Sequence, residues 1–512
     1  MLDHALTSMS TRLKRDADYV FFELTRSICP DCRRVIDAHI LLRDDKVFMR
    51  KRCPEHGQFE SLVYADAQAY VESSRVNKPG TIPLRFSTEV QHGCPFDCGL
   101  CPDHQQHACL GIIEVNSACN MDCPLCFADA GAGFSLTLDE VEQILDHFVE
   151  TEGRPEVVQF SGGEPTIHPD IIPMMKAALA RDIQFVMLNT NGKRIAHDDA
   201  FVDELAQIKP AIYFQFDGFE SESYRLIRGE PDILPEKILA LDRLATIGCE
   251  VILVPAIQQD VNAHEVGRIV RFGLEHPAVR GINFQPAFHA GRFGPHDPLR
   301  RMTIPDVIRR IEDQTDGLFS VDDFVPVPCC FPTCNSVTYA YVDGDEVIPL
   351  PRILKVDDHL DYIANRILPD PAGALKSALE SLWSSSVVPG TDKALRSFAV
   401  SCAACGLPGG GLDLAALTDH MFMIMLQDFM DPWTFNQKNL MKCCKEILLP
   451  DGRQIPFCAY NNMGYREQAR AQLGARQRGR QRARLAGESY SPAPLHFDFR
   501  HTQVDPKPGR KA

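Results

Sequence analysis

The sequence predicts an α/β fold. A parallel sheet with its helices outside should curve into a partial (β/α)6 barrel over residues 111–315. A small cysteine-bearing module (1–65) and a connecting segment (66–110) precede the barrel. A cysteine-rich α+β domain (316–465) and a basic, flexible tail (466–512) follow it. Three observations lead there. Six β-like runs alternate with amphipathic stretches through short loops, the pattern of parallel strands joined by right-handed crossovers. With 512 residues, the chain is several times a modal domain of roughly 100–150 residues. Its 45% hydrophobic and 24% charged residues supply a large core and exclude wholesale disorder.

The first element opens with Cys29-Pro-Asp-Cys32. Two β-like runs follow, Ala38 to Leu42 and Val47 to Met49, about an Asp44-Asp45 turn, and then Cys53-Pro-Glu-His56. Two ligand pairs separated by a hairpin bring four donors together tetrahedrally, the layout of a zinc ribbon. Cys29, Cys32, Cys53 and His56 are therefore expected to hold Zn²⁺ or a mononuclear, rubredoxin-like iron, which spacing does not separate. The connecting segment carries Cys94, Cys98, Cys101 and Cys109 in a Pro- and Gly-containing loop without periodicity. Four thiolates so placed suit an auxiliary [4Fe–4S] cluster. His104 and His107 between them read as neighbours rather than ligands.

Within the barrel region, Gly111–Asn116 is an apolar strand. Thr137 then opens a helix with Val141, Ile144, Leu145 and Phe148 on one face, and Glu140 completes a capping box. Strands are expected at Val157–Phe160, Ile183–Asn189, Ala211–Asp217, Glu250–Ile257 and Val279–Pro286. Helices are expected at Asp170–Ala180, Asp198–Ile208, Pro235–Ile247, His264–His276 and Ile304–Gln314. After residue 318 the rhythm is lost. A hairpin is expected around Asp343-Gly344, helices around Tyr362 and over Ala374–Trp383, and a break at Gly409-Gly410-Gly411. The Met-rich run Met421–Phe429 reads as a buried core helix, with the lining of an adaptable apolar pocket as the other reading.

The net charge is −16, divided between a tail of +7 and a body of −23. So acidic a body argues against nucleic acid as a partner. No run approaches the ~18–20 apolar residues of a membrane span, and the N-terminus lacks an apolar leader. A cytoplasmic protein is expected, with the arginine-rich tail as the place for any peripheral membrane contact. Most of the nineteen cysteines, without a secretion signal, are expected to be metal ligands rather than disulfides, Cys249 being read as structural.

The chemistry concentrates in Cys119-Asn-Met-Asp-Cys123-Pro-Leu-Cys126, directly after the first barrel strand. Three thiolates on one loop can hold three irons of a [4Fe–4S] cube and leave the fourth iron for an exogenous ligand. The loop sits at the C-terminal end of a parallel strand, the face on which such barrels carry their sites. Gly162-Gly163-Glu164-Pro165, Asn189-Thr-Asn-Gly192 and Gln215-Phe-Asp217-Gly218 follow the next three strands in order. This set resembles the radical S-adenosylmethionine (radical SAM) superfamily over about residues 111–315.

The resemblance implies that Cys119, Cys123 and Cys126 hold the catalytic [4Fe–4S] cluster and that SAM chelates the open iron. Reduction would then yield methionine and a 5′-deoxyadenosyl radical. Gly162 and Gly163 let backbone approach the methionine part, and Glu164 accepts from its ammonium. Asn189, Gln215 and Asp217 become contacts of the cofactor's ribose or carboxylate. Leu125 stands where many members carry an aromatic, which moves the adenine contact to Phe127.

The remaining cysteine segments resemble one branch, the class D radical SAM methyltransferases typified by the 7,8-dihydro-6-hydroxymethylpterin methyltransferase, and the similar tetraether lipid synthases. This implies a further auxiliary cluster in the C-terminal domain, with Cys330, Cys334, Cys443 and Cys458 as ligands. Cys329 competes with Cys330, and Cys402 and Cys405 are substitutes. Two functions follow. One is C-methylation of a small molecule with a folate- or pterin-type one-carbon donor, electrons coming from a flavodoxin or ferredoxin. The other is radical carbon–carbon coupling of membrane lipid chains, with the Met-rich run as a greasy tunnel.

Overall fold

The computed structural model describes residues 17–328, 330–352 and 420–499. The expected helices around Tyr362 and over Ala374–Trp383, the triple-glycine break, and Cys329, Cys402 and Cys405 lie outside the described residues.

The N-terminal module is a four-stranded antiparallel sheet of β1 (Val20–Ile28), β2 (Val35–Arg43), β3 (Lys46–Cys53) and β4 (Gly57–Tyr64) in sequential order. Asp44 and Asp45, at φ 50° and 55°, form the two-residue turn between β2 and β3. Left-handed backbone at both positions matches the right-handed twist of the strands, and aspartate tolerates it. The hairpin expected here is thus the centre of a larger sheet.

The barrel wall is built from β5 (Leu110–Asn116), β6 (Val157–Gly162), β7 (Phe185–Thr190), β8 (Ala211–Gln215), β9 (Val251–Val254) with its short continuation β10 (Ala256–Ile257), and β11 (Val279–Pro286). Neighbours pair in parallel from β5 to β11. Helices alternate with them, and the one over Leu138–Glu152 starts with the predicted Thr137–Glu140 capping box.

The C-terminal region is not a separate layer. After β12 (Val325–Pro326), β13 (Asn335–Asp343) and β14 (Glu346–Pro349) come β15 (Met421–Gln427), β16 (Lys445–Leu448) and β17 (Gln454–Pro456). β15 joins the wall parallel to β11 and β16 joins it parallel to β5, one on each side of the six-strand core. β13 and β14 form the expected hairpin at Asp343-Gly344. β15 and β16 are not hydrogen-bonded neighbours. Both flank a seam into which Cys330 and Cys334 lead from before β13, Cys443 and Cys444 from before β16, and Cys458 from after β17.

Two expectations are corrected here. Met421–Phe429 is not a helix: residues 421–427 form β15. Phe422, Ile424 and Leu426 are buried on one side, while Met421, Met423 and Met425 are half-buried on the other. That is period two, and β11 and β13 satisfy both edges. The tail is not flexible through its first half either, because Tyr465–Ala486 is a helix. Tyr465, Ala469 and Leu473, four residues apart, are buried and dock it. Among the described residues no helix is long and apolar enough to cross a membrane.

The ribbon packs on the barrel. Leu62 N–H donates to Pro298 O at 2.9 Å, Ser61 Oγ to Trp433 O at 2.9 Å and Lys51 Nζ to Pro432 O at 2.6 Å. Residues 298 and 432–433 belong to the segments after β11 and β15. The ribbon therefore sits on the C-terminal face of the sheet.

Candidate active site

The loop after β5 carries Cys119, Cys123 and Cys126, and all three line one cavity at the C-terminal ends of the strands. Its backbone is pinned from outside. Cys126 and Arg292 exchange N–H···O bonds of 2.8 and 2.9 Å, and Leu125 N–H donates to Ile227 O at 3.2 Å. Arg292, a residue of the loop after β11, also pairs with Asp122 of the cysteine loop. Cys123 packs against Met121, Tyr224 and Ile233. Burial pushes the Cys119 thiol up to about 12 and raises Cys123 as well. Such thiols ionise only when a cation compensates them, which suits a metal-cluster donor set.

Gly162 and Gly163 end β6 against the root of that loop. Gly163 N–H donates to Asn116 O at 2.9 Å and Glu164 N–H to Ala118 O at 2.8 Å. A Cβ at Gly162, where φ is +138°, would lie 2.2 Å from Asn116 O, and one at Gly163 would lie 2.1 Å from Ala118 O. The glycines are thus required by the protein's own backbone approach. The Glu164 carboxylate is buried and accepts from Thr166 N (3.1 Å), Thr166 Oγ1 (2.7 Å), Thr190 Oγ1 (2.8 Å) and Asn191 N (2.8 Å). It faces the cavity, as do Asn189, held by Ser161 Oγ at 3.1 Å, and Gln215. Lys237 fixes this rim, donating to Gln215 Oε1 at 3.0 Å and Asn191 O at 2.7 Å. Burial lowers its amine to about 8.

Asp217 has a different place from the one expected. It is fully buried, and its oxygens accept from Arg228 Nε (2.6 Å), Arg228 Nη2 (2.7 Å) and Ala256 N (3.0 Å). Arg228, rather than Asp217, lines the cavity. Asp217 is a positioning residue, and the cation it aims was missed because an arginine in a helical last turn carries no sequence signal. Phe127 packs with Phe288 and Phe457 at ring centroids of 5.6 and 5.3 Å, and Phe429 with Phe457 at 4.3 Å. Phe127, Phe429 and Phe457 give the cavity an aromatic side.

The auxiliary cysteines regroup. Cys94, Cys98 and Cys101 share one small cavity with His104, and hydrogen bonding to Cys94 together with burial raises the Cys98 thiol. Cys109, expected as their fourth partner, packs instead with Cys330 and Cys444. Its backbone is committed to the sheet: Cys109 O accepts from Val157 N at 3.2 Å, and Leu110 N–H donates to Cys444 O at 3.0 Å. His104 is buried and donates through Nε2 to Cys443 O at 2.7 Å. At the seam, burial raises the Cys334 thiol, with Cys330 and Cys458 adding to it. Burial also raises Cys443, helped by Glu446 and Cys458. Cys330, Cys334, Cys443 and Cys458 are thus electrostatic neighbours, with Cys444 and Cys109 beside them.

In the ribbon, the ligand atoms of Cys29, Cys32, Cys53 and His56 all lie within 4.8 Å of one another. Cys53 Sγ is 3.5 Å from His56 Nδ1 and Cys32 Sγ is 3.9 Å from Cys53 Sγ. Four donors this close fit a single tetrahedral ion.

Residues 21–65 match the HMPTM N-terminal zinc ribbon domain, and residues 113–273 match the radical SAM superfamily. The 7,8-dihydro-6-hydroxymethylpterin dimethyltransferase of Methanocaldococcus jannaschii is 35% identical over 489 residues, covering 86% of this chain and 94% of the relative. The GTP 3',8-cyclase of Chlorobaculum tepidum is 29% identical over 190 residues, 35% of this chain and 56% of that one. Among solved structures, a radical SAM methyltransferase from Sphaerobacter thermophilus covers 59% of this chain and 74% of its own, with 14% identity and a TM-score of 0.30. The whole-length relative decides the assignment: the chain is a radical SAM enzyme and belongs to the family of that pterin dimethyltransferase.

Proposed function

We propose that the protein C-methylates a small, polar, pterin-type ring, with the one-carbon unit coming from a folate- or pterin-type donor rather than from SAM. The observation that carries this reading is the lining of the cavity beside the cysteine loop. It continues into the barrel past Gln159, Tyr213, Gln285, Gln427 and Lys445. A lumen so rich in amides, a phenol and an ammonium leaves its groups unsatisfied around a hydrocarbon chain and bonds them around a heterocycle.

Cys119, Cys123 and Cys126 would hold the [4Fe–4S] cluster. Gly162, Gly163, Glu164, Asn189, Gln215 and Arg228 would surround SAM. When bound, the cluster and SAM supply one electron and the 5′-deoxyadenosyl radical that takes hydrogen from carbon. The chain's own part is to bind, orient and shield. Arg228, aimed by Asp217, offers its charge to a carboxylate, and Glu164, held by four donors, offers lone pairs to an ammonium. The Phe127, Phe429 and Phe457 side keeps water from the reacting carbon. Cys94, Cys98 and Cys101 would hold one auxiliary cluster, and Cys330, Cys334, Cys443 and Cys458 a second. An electron carrier of the flavodoxin or ferredoxin class would reduce them. Cys29, Cys32, Cys53 and His56 would hold Zn²⁺.

The lipid-coupling reading loses its supports, since the Met-rich run is a strand of a partly polar lumen and half of the basic tail is docked helix. The test is single turnover of reconstituted enzyme with methyl-labelled SAM and a reduced hydroxymethylpterin. The expected products are 5′-deoxyadenosine and a methylated pterin without the label. A labelled product, or none together with lipid coupling, sinks the proposal.

A further inference from the structure

Deeper in the barrel lies a second cavity that the contacts proposed for the cluster and SAM leave unused. It opens from the first through the shared residues Gln159, Tyr213, Gln427 and Lys445. A barrel interior at this depth is ordinarily filled with branched apolar side chains. Here the thioethers of Met423 and Met425, on one side of β15, form a single soft wall, and a belt of polar groups lines the same cavity.

The belt is only partly self-satisfied. Tyr213 Oη accepts from Asn283 Nδ2 and from Gln285 Nε2, both at 2.7 Å, so its own proton is the donor that remains. Asn283 Nδ2 also donates to Gln427 Oε1 at 3.2 Å. The carbonyl oxygen of Asn283, on a residue only 4% exposed, has no partner among the described residues. A buried acceptor left unpaired costs free energy that a ligand can return. Lys445 brings an ammonium to the same lining, held by Asn335 Oδ1 at 2.8 Å. An acceptor, a neutral donor and a cationic donor therefore line one slot beside the polarisable methionine wall.

We propose that this slot reads the hydrogen-bonding edge of a flat, fused aminopyrimidinone ring. Asn283 Oδ1 accepts from its ring N–H or exocyclic amino group, and Lys445 donates to its carbonyl oxygen. The inference rests on the pterin reading above and assigns the residues that would give it specificity. The edge bound here points away from the cysteine loop, so the ring's other end faces the SAM contacts.

The test is anaerobic titration calorimetry of the reconstituted holoenzyme with two probes. One is 6-hydroxymethyl-7,8-dihydropterin, and the other is the corresponding lumazine, in which a carbonyl replaces the exocyclic amino group. Wild type should prefer the pterin by about tenfold or more, the discrimination of a buried polar site. Asn283→Leu should weaken pterin binding about tenfold and erase most of that preference. Lys445→Met should weaken both probes alike. Iron content and circular dichroism identify any variant that fails to fold, and Tyr213→Phe then supplies the same comparison. Unchanged pterin affinity and preference in folded Asn283→Leu overturns the assignment while leaving the pterin reading intact. A wild type that binds neither ring, yet binds a detergent-dispersed diether lipid, overturns both.

Discussion

At Gly163 one methyl group has nowhere to go. Its Cβ would stand 2.1 Å from Ala118 O and 2.6 Å from Ser117 O, both backbone atoms at the root of the cysteine loop. Gly163→Ala should cost about 1–3 kcal/mol and cut dithionite-driven 5′-deoxyadenosine formation about tenfold or more, since about 1.4 kcal/mol is a factor of ten. Wild-type turnover in this variant, read by chromatography of the nucleoside, would show that the contact is not needed. A second residue of the same loop sets a pH limit. His168 donates through Nε2 to Leu136 O at 3.0 Å and accepts at Nδ1 from Asp170 N at 3.0 Å, so the neutral ring is the one that fits. Burial lowers its pKa below the ordinary 6.5. The unfolded chain therefore takes up a proton that the folded one refuses. Stability from this site is complete above pH 6.5 and is lost as pH falls from there toward the lowered folded value. The thermal midpoint should drop between about pH 7 and about pH 5, and His168→Gln should flatten that slope. An identical slope in the variant would remove His168 from the account. At this scale the sequence was legible where chemistry demands a spacing, as in Cys119, Cys123 and Cys126 or the two glycines. It was silent where the demand is met across space. Nothing in the chain order links Asp217 to Arg228 or Gln215 to Lys237.

The helix Tyr465–Ala486 shows how one element can serve several others. Tyr465 Oη accepts from Cys98 N at 3.0 Å and donates to Phe96 O at 2.7 Å, within the loop of the first auxiliary cysteines. Arg466 pairs with Glu114 of β5 at 2.6 Å. Arg470 donates to Asp129 O at 2.8 Å and Ala128 O at 2.9 Å, just beyond Cys126. The helix clamps both cysteine loops to the barrel. Hydrogen bonds from a charged group contribute about 1.5–3 kcal/mol, so Arg470→Ala should loosen the loop after Cys126. The expected result is lower iron retention per chain after reconstitution and gel filtration. If the helix were instead a membrane foot, the substitution would change liposome binding and leave iron untouched. The arginines read as a tail because the buried stripe itself includes Arg466 and Arg476, and Tyr465, Ala469, Leu473 and Gly474 beside them carry too weak an apolar signal to mark a docked face. The Met-rich run misled for the opposite reason. Apolar at every position from Met421 to Leu426, it fits period two and period 3.6 equally, and only its neighbours β11 and β13 decide.

Across the whole molecule, the ribbon and the barrel mouth form one mechanical unit. Arg33, beside Cys32, is half-buried within electrostatic reach of Glu467 and Asp431. Asp431 in turn organises the segment after β15. Its Oδ1 accepts from Trp433 N at 2.9 Å and Thr434 N at 3.1 Å, and its Oδ2 from His289 N at 3.2 Å. Two residues earlier, Phe429 lines the cavity. Lys51 enters the same interface, where burial lowers its amine to about 7 while Ser27 Oγ (3.0 Å) and Pro432 O (2.6 Å) accept from it. A ribbon held by a metal ion therefore presses on a wall of the reaction chamber, and its loss should be felt there rather than throughout the fold. Cys32→Ser removes one of the four donors gathered within 4.8 Å, and structural zinc sites contribute folding energy outright. In this variant, amide hydrogen exchange should rise about tenfold or more across residues 428–436, as local opening there becomes cheaper by about 1.4 kcal/mol. The helix Asp199–Ile208, packed on Ile171–Leu179 and Leu234–Ile247, should keep its protection. Metal loss that leaves 428–436 as protected as before would mean that the barrel holds that wall alone and the ribbon merely rests on it.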